Sequence, residues 1–236
     1  MNHRSAISAI LNHPGIRVGG GTESFVPPVH RSLRSDFEGL YTNDQSEFNF
    51  DPKLYEENNW CPVYRIGRTS EGGCVWMVNI TDSISEIHEY IPLLDTLYNA
   101  DVNDIIELNI ASPGGYISTA TQICTAIKKC RGTVIGHASG MCASAGSLIW
   151  SVCHKVSVGD GANFMWHMSS HWDGGNSLSI RNEADFQISY VREVLLSISI
   201  KRGFITEEEV EELCTNPSSA KWITAEEMRE RLLKAT

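Results

Sequence analysis

The sequence predicts an α/β domain built on a largely parallel sheet, and three observations carry that prediction. Strand-like and helix-like apolar patterns alternate from Cys74 onward, glycine-containing turns follow two of the strands, and each of those turns opens into a segment of helical period. Right-handed crossovers between parallel strands then place the connecting loops at strand ends, where such sheets build their sites.

The elements follow in order. Val75-Trp76-Met77-Val78 reads as a strand, and Ile84, Ile87, Ile91, Leu94 and Leu97 mark one face of a helix. Ile105 to Ile110 is a buried strand that ends in the turn Ser112-Pro113-Gly114-Gly115. Ile117, Ala120, Ile123, Cys124 and Ile127 form the buried stripe of the next helix. Thr133 to Ala138 is a strand, Ala143 to about Val152 a helix, and His154 to Val158 and Asn163 to His167 are two further strands. A polar loop then runs through Asn176, followed by a long helical pattern with Phe186, Tyr190, Val191, Val194, Leu195 and Ile198 on its apolar side. Thr206-x-x-Glu209 and Thr224-x-x-Glu227 are capping-box patterns that start two closing helices, with the acids from Glu207 to Glu212 on a solvated face.

The first sixty residues show no sustained period and contain Gly19-Gly20-Gly21, Pro27-Pro28 and a polar run from Asn43 to Glu47. The expected organisation is therefore a loosely structured arm over 1–60 and one folded domain over 61–236. Up to Ser35 the arm carries Arg4, Arg17, Arg31 and Arg34 against the single acid Glu23, a faint likeness to an organelle transit peptide.

At 236 residues and 42% hydrophobic, the chain can bury one substantial core. A formal charge of −10 argues against general binding to nucleic acid or anionic lipid, which rely on clustered Lys and Arg. The apolar stretches fall far short of the ~20 residues a membrane helix needs. Seven cysteines form no C-x-x-C pair and their number is odd, so neither a disulfide framework nor a zinc ribbon fits and a reducing compartment is expected. Cys142 stands two positions before Ser144 and is either a reactive thiol or a small buried hydrophobe.

The chemistry concentrates in three strings. Gly140-Met141-Cys142-Ala143-Ser144-Ala145-Gly146 places one serine among small residues before an apolar helix, where the chain can turn sharply and helix N–H groups face developing negative charge. The glycine turn at Ser112 to Gly115 lies upstream, and Phe164-Met165-Trp166-His167 downstream supplies a histidine base. His167 and His171 are four apart but lack the glutamate of a zinc-protease helix, so no metal is expected.

These strings resemble the proteolytic subunit of the Clp protease family, whose members carry Asn-Ser-Pro-Gly-Gly, Gly-x-x-Ala-Ser-x-Gly and Met-x-His segments in this order. Here they are Ala111 to Gly115, Gly140 to Gly146 and Met165 to His167, with 32 positions from Ser112 to Ser144 and 23 from Ser144 to His167. The resemblance covers roughly Ile66 to Thr236. It implies the ClpP/crotonase-like spiral of repeated β-β-α units with a projecting handle helix, the handle falling on the long helical pattern around Phe186. It further implies a serine endopeptidase with Ser144 as nucleophile, His167 as base and the N–H groups of Gly115 and Ala145 as oxyanion hole. No metal or organic cofactor is implied. The implied partners are unfolded protein or peptide substrates, further copies or a homologue in stacked rings, and an AAA+ unfoldase. A cytoplasmic location is expected, with an organelle stroma or matrix, or virus-infected host cytoplasm, as alternatives. The arm at 1–60 then reads as a propeptide or an axial segment.

Several positions depart from the family pattern. The acidic third member precedes a Phe-(Leu/Met)-Ser-Ala string, represented here by Trp222-Ile223-Thr224-Ala225, and counting back six positions gives Asn216. An asparagine carbonyl can accept from imidazole but does not stabilise the imidazolium by charge, so reduced activity is expected. Asp173 is an alternative third group. Met168-Ser169 replaces the usual Gln-Pro after the histidine. Three other readings stay open: a noncatalytic ring subunit that serves as scaffold or regulator, acyl-CoA chemistry of the crotonase type, and a viral protease processing capsid precursors.

Overall fold

The computed structural model describes residues 41–42, 57, 60–168, 185–186, 188–192, 196–216 and 219–235. Among the described residues eight strands form one sheet: β1 (Tyr41–Thr42), β2 (Val63–Thr69), β3 (Cys74–Ile80), β4 (Ile105–Ser112), β5 (Thr133–Ala143), β6 (Lys155–Val158), β7 (Asn163–His167) and β8 (Ala220–Thr224). The order is β1-β2-β3-β4-β5-β7-β8, with β6 also on β5. The centre is parallel, β3 with β4, β4 with β5, and β5 with both β6 and β7. The flanks are antiparallel. This is a mixed α/β architecture consistent with the Clp protease fold named above as an expectation.

The helices are α1 (Ile91–Asn99), α2 (Ile117–Lys129), α3 (Ala145–Val152), α4 (Ser197–Lys201), α5 (Glu207–Thr215) and α6 (Ala225–Ala235). Strand alternation decides which sheet face they cover. The register places Val78, Leu108 and Gly136 in one row and Ile80, Ile110 and Ala138 in the next. These rows belong to the large core together with Leu93 and Leu97 of α1, Ile123 and Ile127 of α2, and Ile149 and Trp150 of α3. Beside them Trp150 sits between Phe164 and Phe204, at centroid distances of 4.6 and 4.7 Å, which adds aromatic contact to apolar burial. The opposite face carries a small cluster of Val75, Ile105 and Ile135. Its next rows are polar, with Asn79, Asn109, His137 and Ser157 in register across four strands.

Several expectations change. The strand at Thr133 runs on to Ala143, because its first half pairs with β6 and its second with β7 on the same side. Helical structure near Ile84 starts later, with one turn of 3-10 helix at Ile87–Tyr90 and α1 from Ile91. Ile84 instead donates its N–H to Gly114 O and accepts from Tyr116 N, at 2.8 Å each, so its backbone is engaged across the sheet rather than in a helix. The buried side of α1 is Leu93 and Leu97, while Ile91 is exposed. Strands β2 and β8 were not expected. β2 forms an antiparallel hairpin with β3, and β8 is held by long-range pairing with β7.

Of the long helical pattern, residues 185–186 and 188–192 are helical and α4 closes it, while Val194 and Leu195 lie outside the described residues. Val191 and Leu196 are buried, Phe186 is exposed, and Leu196 N–H reaches back five residues to Val191 O (2.8 Å). The Thr206–Glu209 capping box forms in full, and Thr224 Oγ1 accepts from Glu227 N–H (3.2 Å) at the head of α6. Most of the arm at 1–60 lies outside the described residues. Within it Tyr41–Thr42 pairs with Arg68 and Thr69. No described helix is long and apolar enough to cross a membrane.

Candidate active site

Ser144 stands between the end of β5 and the start of α3 with φ 53° and ψ −120°. Among the described residues it is the only non-glycine with positive φ. Such a conformation costs about 1–3 kcal/mol and persists only where its surroundings enforce it. The enforcement is visible: Ser144 N–H donates to Met165 O of β7 (2.8 Å), while Leu148 N–H and the Ser147 hydroxyl donate to Ser144 O (3.2 and 2.7 Å). The serine is thus lifted out of both strand and helix, with the first turn of α3 behind it.

His167 ends β7, and its Nε2 lies 2.7 Å from Ser144 Oγ. Burial lowers the imidazole pKa from its ordinary 6.5, because the charged form is desolvated. The neutral ring is therefore favoured, and with the proton on Nδ1 its Nε2 is free to accept from the serine hydroxyl.

The glycine turn presses against this elbow from the β4 side. A Cβ placed on Gly114, at φ 98°, would lie 2.6 Å from Ser144 Cβ and 2.8 Å from Ala143 O, so no larger residue fits there. On Gly115, at φ 151°, a Cβ would strike Ile84 O. The two hydrogen bonds of the Ile84 bridge are made by Gly114 O and Tyr116 N, which leaves the Gly115 N–H directed away from that bridge. Ala145, the first residue of α3, contributes another N–H without an intrahelical acceptor.

A short strut fixes the turn. Ser112, fully buried, donates from Oγ to Asp82 O (2.6 Å) and accepts from Gly114 N–H (3.1 Å). Thr119 Oγ1, also buried, donates to Ser85 O (2.7 Å). The segment 82–85 is therefore tied to the glycine turn at one end and to α2 at the other. Sequence reasoning saw Ser112 only as part of a motif and placed Ile84 on a helix, so the strut went unread.

The expected third member stands apart from the pair. Asn216 caps α5, with its N–H on Glu212 O (3.0 Å) and its carbonyl accepting from Ser219 N–H (2.9 Å). It is solvent-exposed, and among the described residues no hydrogen bond joins it to His167. The chain does pass close by, since His167 pairs in register with Ala220, and Cys214 Sγ lies 3.9 Å from Met168 Sδ. His171 and Asp173 lie outside the described residues.

Cys142 is fully buried, and desolvation pushes its thiol pKa well above the ordinary value, so it is no thiolate nucleophile. A second Ser–His contact exists on the far face of the sheet, where His137 Nδ1 and Ser157 Oγ lie 2.7 Å apart. Both residues sit within regular paired strands, without an elbow or a helix N-terminus, so the features that activate a nucleophile are missing there. Among the described residues no group of three or more His, Cys, Asp or Glu is placed to hold a metal ion.

Beside Ser144 and His167 opens a small cavity with room for about one water molecule. Its remaining wall is Ile117, Leu148, Trp166, Val191 and Leu196, with no charged side chain. A strained serine, a neutral histidine in hydrogen-bond contact, two amides of the glycine turn and helix start, and an apolar pocket alongside are together the parts that acyl transfer needs. A family model described as Clp protease matches residues 70–231. No curated protein matches the chain significantly.

Proposed function

The chain belongs to the Clp protease family, and on that premise we propose that it is a serine endopeptidase. The observation that carries the reading is the 2.7 Å contact between Ser144 Oγ and His167 Nε2 at a backbone elbow of positive φ. Ser144 Oγ attacks the scissile carbonyl carbon as its proton passes to His167 Nε2, and the carbonyl π electrons move onto oxygen. The N–H groups of Gly115 and Ala145 hold that oxyanion, and losing one such donor typically costs about 2.7–4 kcal/mol of barrier lowering. Collapse expels the leaving amine, which takes the proton from His167, and water repeats the sequence on the acyl-enzyme. Asn216 makes no hydrogen bond to His167 among the described residues, so it serves as third member only where assembly or substrate brings it to the imidazole, and then without charge, which reduces turnover relative to an acidic third member.

The substrates we infer are unfolded proteins or peptides, cut inside a chamber of stacked rings formed by this chain alone or with a homologue. An AAA+ unfoldase supplies the ATP-dependent step, and the location is cytoplasmic. The test is hydrolysis of an unstructured polypeptide by the purified chain alongside its native mass. Cleavage lost in Ser144→Ala, from a particle of several subunits, supports the reading; a single-subunit mass counts against the chamber, and cleavage that persists in Ser144→Ala overturns the mechanism.

A second reading is favoured by the exposed position of Asn216 at the end of α5. It makes the chain a noncatalytic ring subunit that assembles with active homologues. Failure to co-assemble with an active subunit would sink it.

A further inference from the structure

Fully buried serines occupy α3 and its neighbour α4: Ser147 and Ser151 on the first helix, Ser199 on the second. Ser151 makes the contacts that any buried helix hydroxyl needs. Its Oγ donates to Ser147 O one turn back (2.6 Å) and accepts from Ser199 Oγ (3.0 Å). Ser147 differs, because its hydroxyl reaches out of the helix. It donates to Ser144 O (2.7 Å) and also lies 3.0 Å from Met165 O, two residues before His167 on β7. Neither carbonyl depends on it for a partner, since Ser144 O also accepts from Leu148 N–H and Met165 O from Ser144 N–H. Alanine is the better helix former and fills nearly the same space. Hydrogen-bond satisfaction and helix propensity therefore do not account for a hydroxyl at this position.

We propose that Ser147 is a positioning residue, whose hydroxyl aims the Ala145 N–H at the oxyanion and locks the serine elbow to the strand that carries His167. The inference rests on the serine peptidase reading above. A trans peptide is planar, so its C=O and N–H point in opposite directions. The Ser144 carbonyl and the Ala145 N–H belong to one such unit, and a bond that fixes the first fixes the direction of the second. The bond from Ser144 N–H to Met165 O ties the elbow to β7 once. A single tie leaves the next peptide plane free to swivel. The Ser147 hydroxyl, set between Ser144 O and Met165 O, adds a second tie between the same two segments, and two ties fix orientation as well as separation. The constraint matters here because Ser144 is held at positive φ, a conformation that persists only while its surroundings enforce it.

The test compares Ser147→Ala with Ser151→Ala in steady-state hydrolysis of an unstructured polypeptide, with a thermal melt of each assembled protein. Both variants remove one buried hydroxyl from α3, but only the first touches the elbow and β7. Ser147→Ala is expected to lower kcat by about 10-fold, less than the ~10²–10³ that outright loss of an oxyanion donor costs. Its KM should stay within about 2-fold of wild type, because the aim of the N–H is felt only in the transition state. Ser151→Ala leaves the Ser199 hydroxyl without its acceptor, so it should lower the melting temperature while kcat stays within about 2-fold of wild type. Suppose the wild type cleaves in a Ser144-dependent way. If Ser147→Ala then keeps its kcat, loses activity through KM instead, fails to fold, or loses no more than Ser151→Ala, the inference fails while the peptidase reading stands. If the wild type cleaves no unstructured polypeptide, the peptidase reading itself has failed, and this inference with it.

Discussion

Gly114 and Ser144 approach so closely that a single methyl group on the glycine would fall 2.6 Å from the serine Cβ. The oxyanion turn and the nucleophile elbow are therefore one packed unit, and neither can shift without moving the other. Gly114→Ala forces the turn and the elbow apart, so it should lower the melting temperature and also lower kcat of the folded fraction by about 100-fold, since displacements of about 1 Å at a reacting centre have that effect. The check is steady-state hydrolysis together with a thermal melt. An unchanged kcat would show that the turn does not position the reacting groups.

Protonation of His167 should control the acid side of the pH profile. Burial lowers its pKa, so the neutral base persists below the ordinary histidine value of 6.5, and activity is lost as pH falls through the lowered pKa. A profile of kcat/KM against pH should show its acidic midpoint below 6.5. A midpoint at or above 6.5 would mean that a charged partner, and not desolvation, dominates around the imidazole.

Position 216 tests the third member. If position 216 reaches the imidazole in the working enzyme, Asn216→Asp should raise kcat by at least about 10-fold and move the acidic midpoint upward, because a carboxylate stabilises the imidazolium. If kcat and midpoint both stay where they were, position 216 is not the third member, and the orienting group lies elsewhere.

Away from the site, Glu209 holds the C-terminal helices together. Its carboxylate accepts from Arg231 through both oxygens (2.7 Å each) and meets Lys221 Nζ at 2.7 Å, while also closing the capping box of α5. Arg231 first, then Lys221 and the Thr206 N–H, hold its pKa down at about 2. A carboxylate with a depressed folded pKa stabilises the fold above its unfolded value of 4.5 and loses that contribution as pH falls towards about 2. Glu209→Gln should lower stability by about 1–2 kcal/mol at pH 7, after solvent screening, and by much less near pH 2. Urea melts at the two pH values would decide it. An equal loss at both would mean that the charge contributes nothing.

Local pattern reached only part of the fold, for identifiable reasons. Ile105 to Ile110 was legible because Ile106, Leu108 and Ile110 alternate onto the buried face, and α2 because its stripe matches the helical period. The second half of β5 was not, since Ser139-Gly140-Met141 has no strand pattern and is extended only because β7 lies beside Met141 to Ala143. Likewise β8, Ala-Lys-Trp-Ile-Thr, owes its conformation to β7. Ile84 carried a helical spacing, yet the glycine turn competes for its backbone. At the site, Ser144 and His167 were legible as motif residues, because an elbow needs small neighbours and a base needs a fixed strand end. The exposure of Asn216 and the Ser112 strut depend on tertiary contacts that no spacing encodes.

The central claim is that Ser144 and His167 form an activated nucleophile, and reaction with a fluorophosphonate reads that directly, without needing the right substrate. The purified protein would be treated with the probe, digested, and its peptides mapped by mass, beside Ser144→Ala and His167→Ala. The account predicts one adduct, on Ser144, absent from the first variant and formed at least about 100-fold more slowly in the second. A folded, assembled protein that takes no adduct, or takes it at another serine, would contradict it.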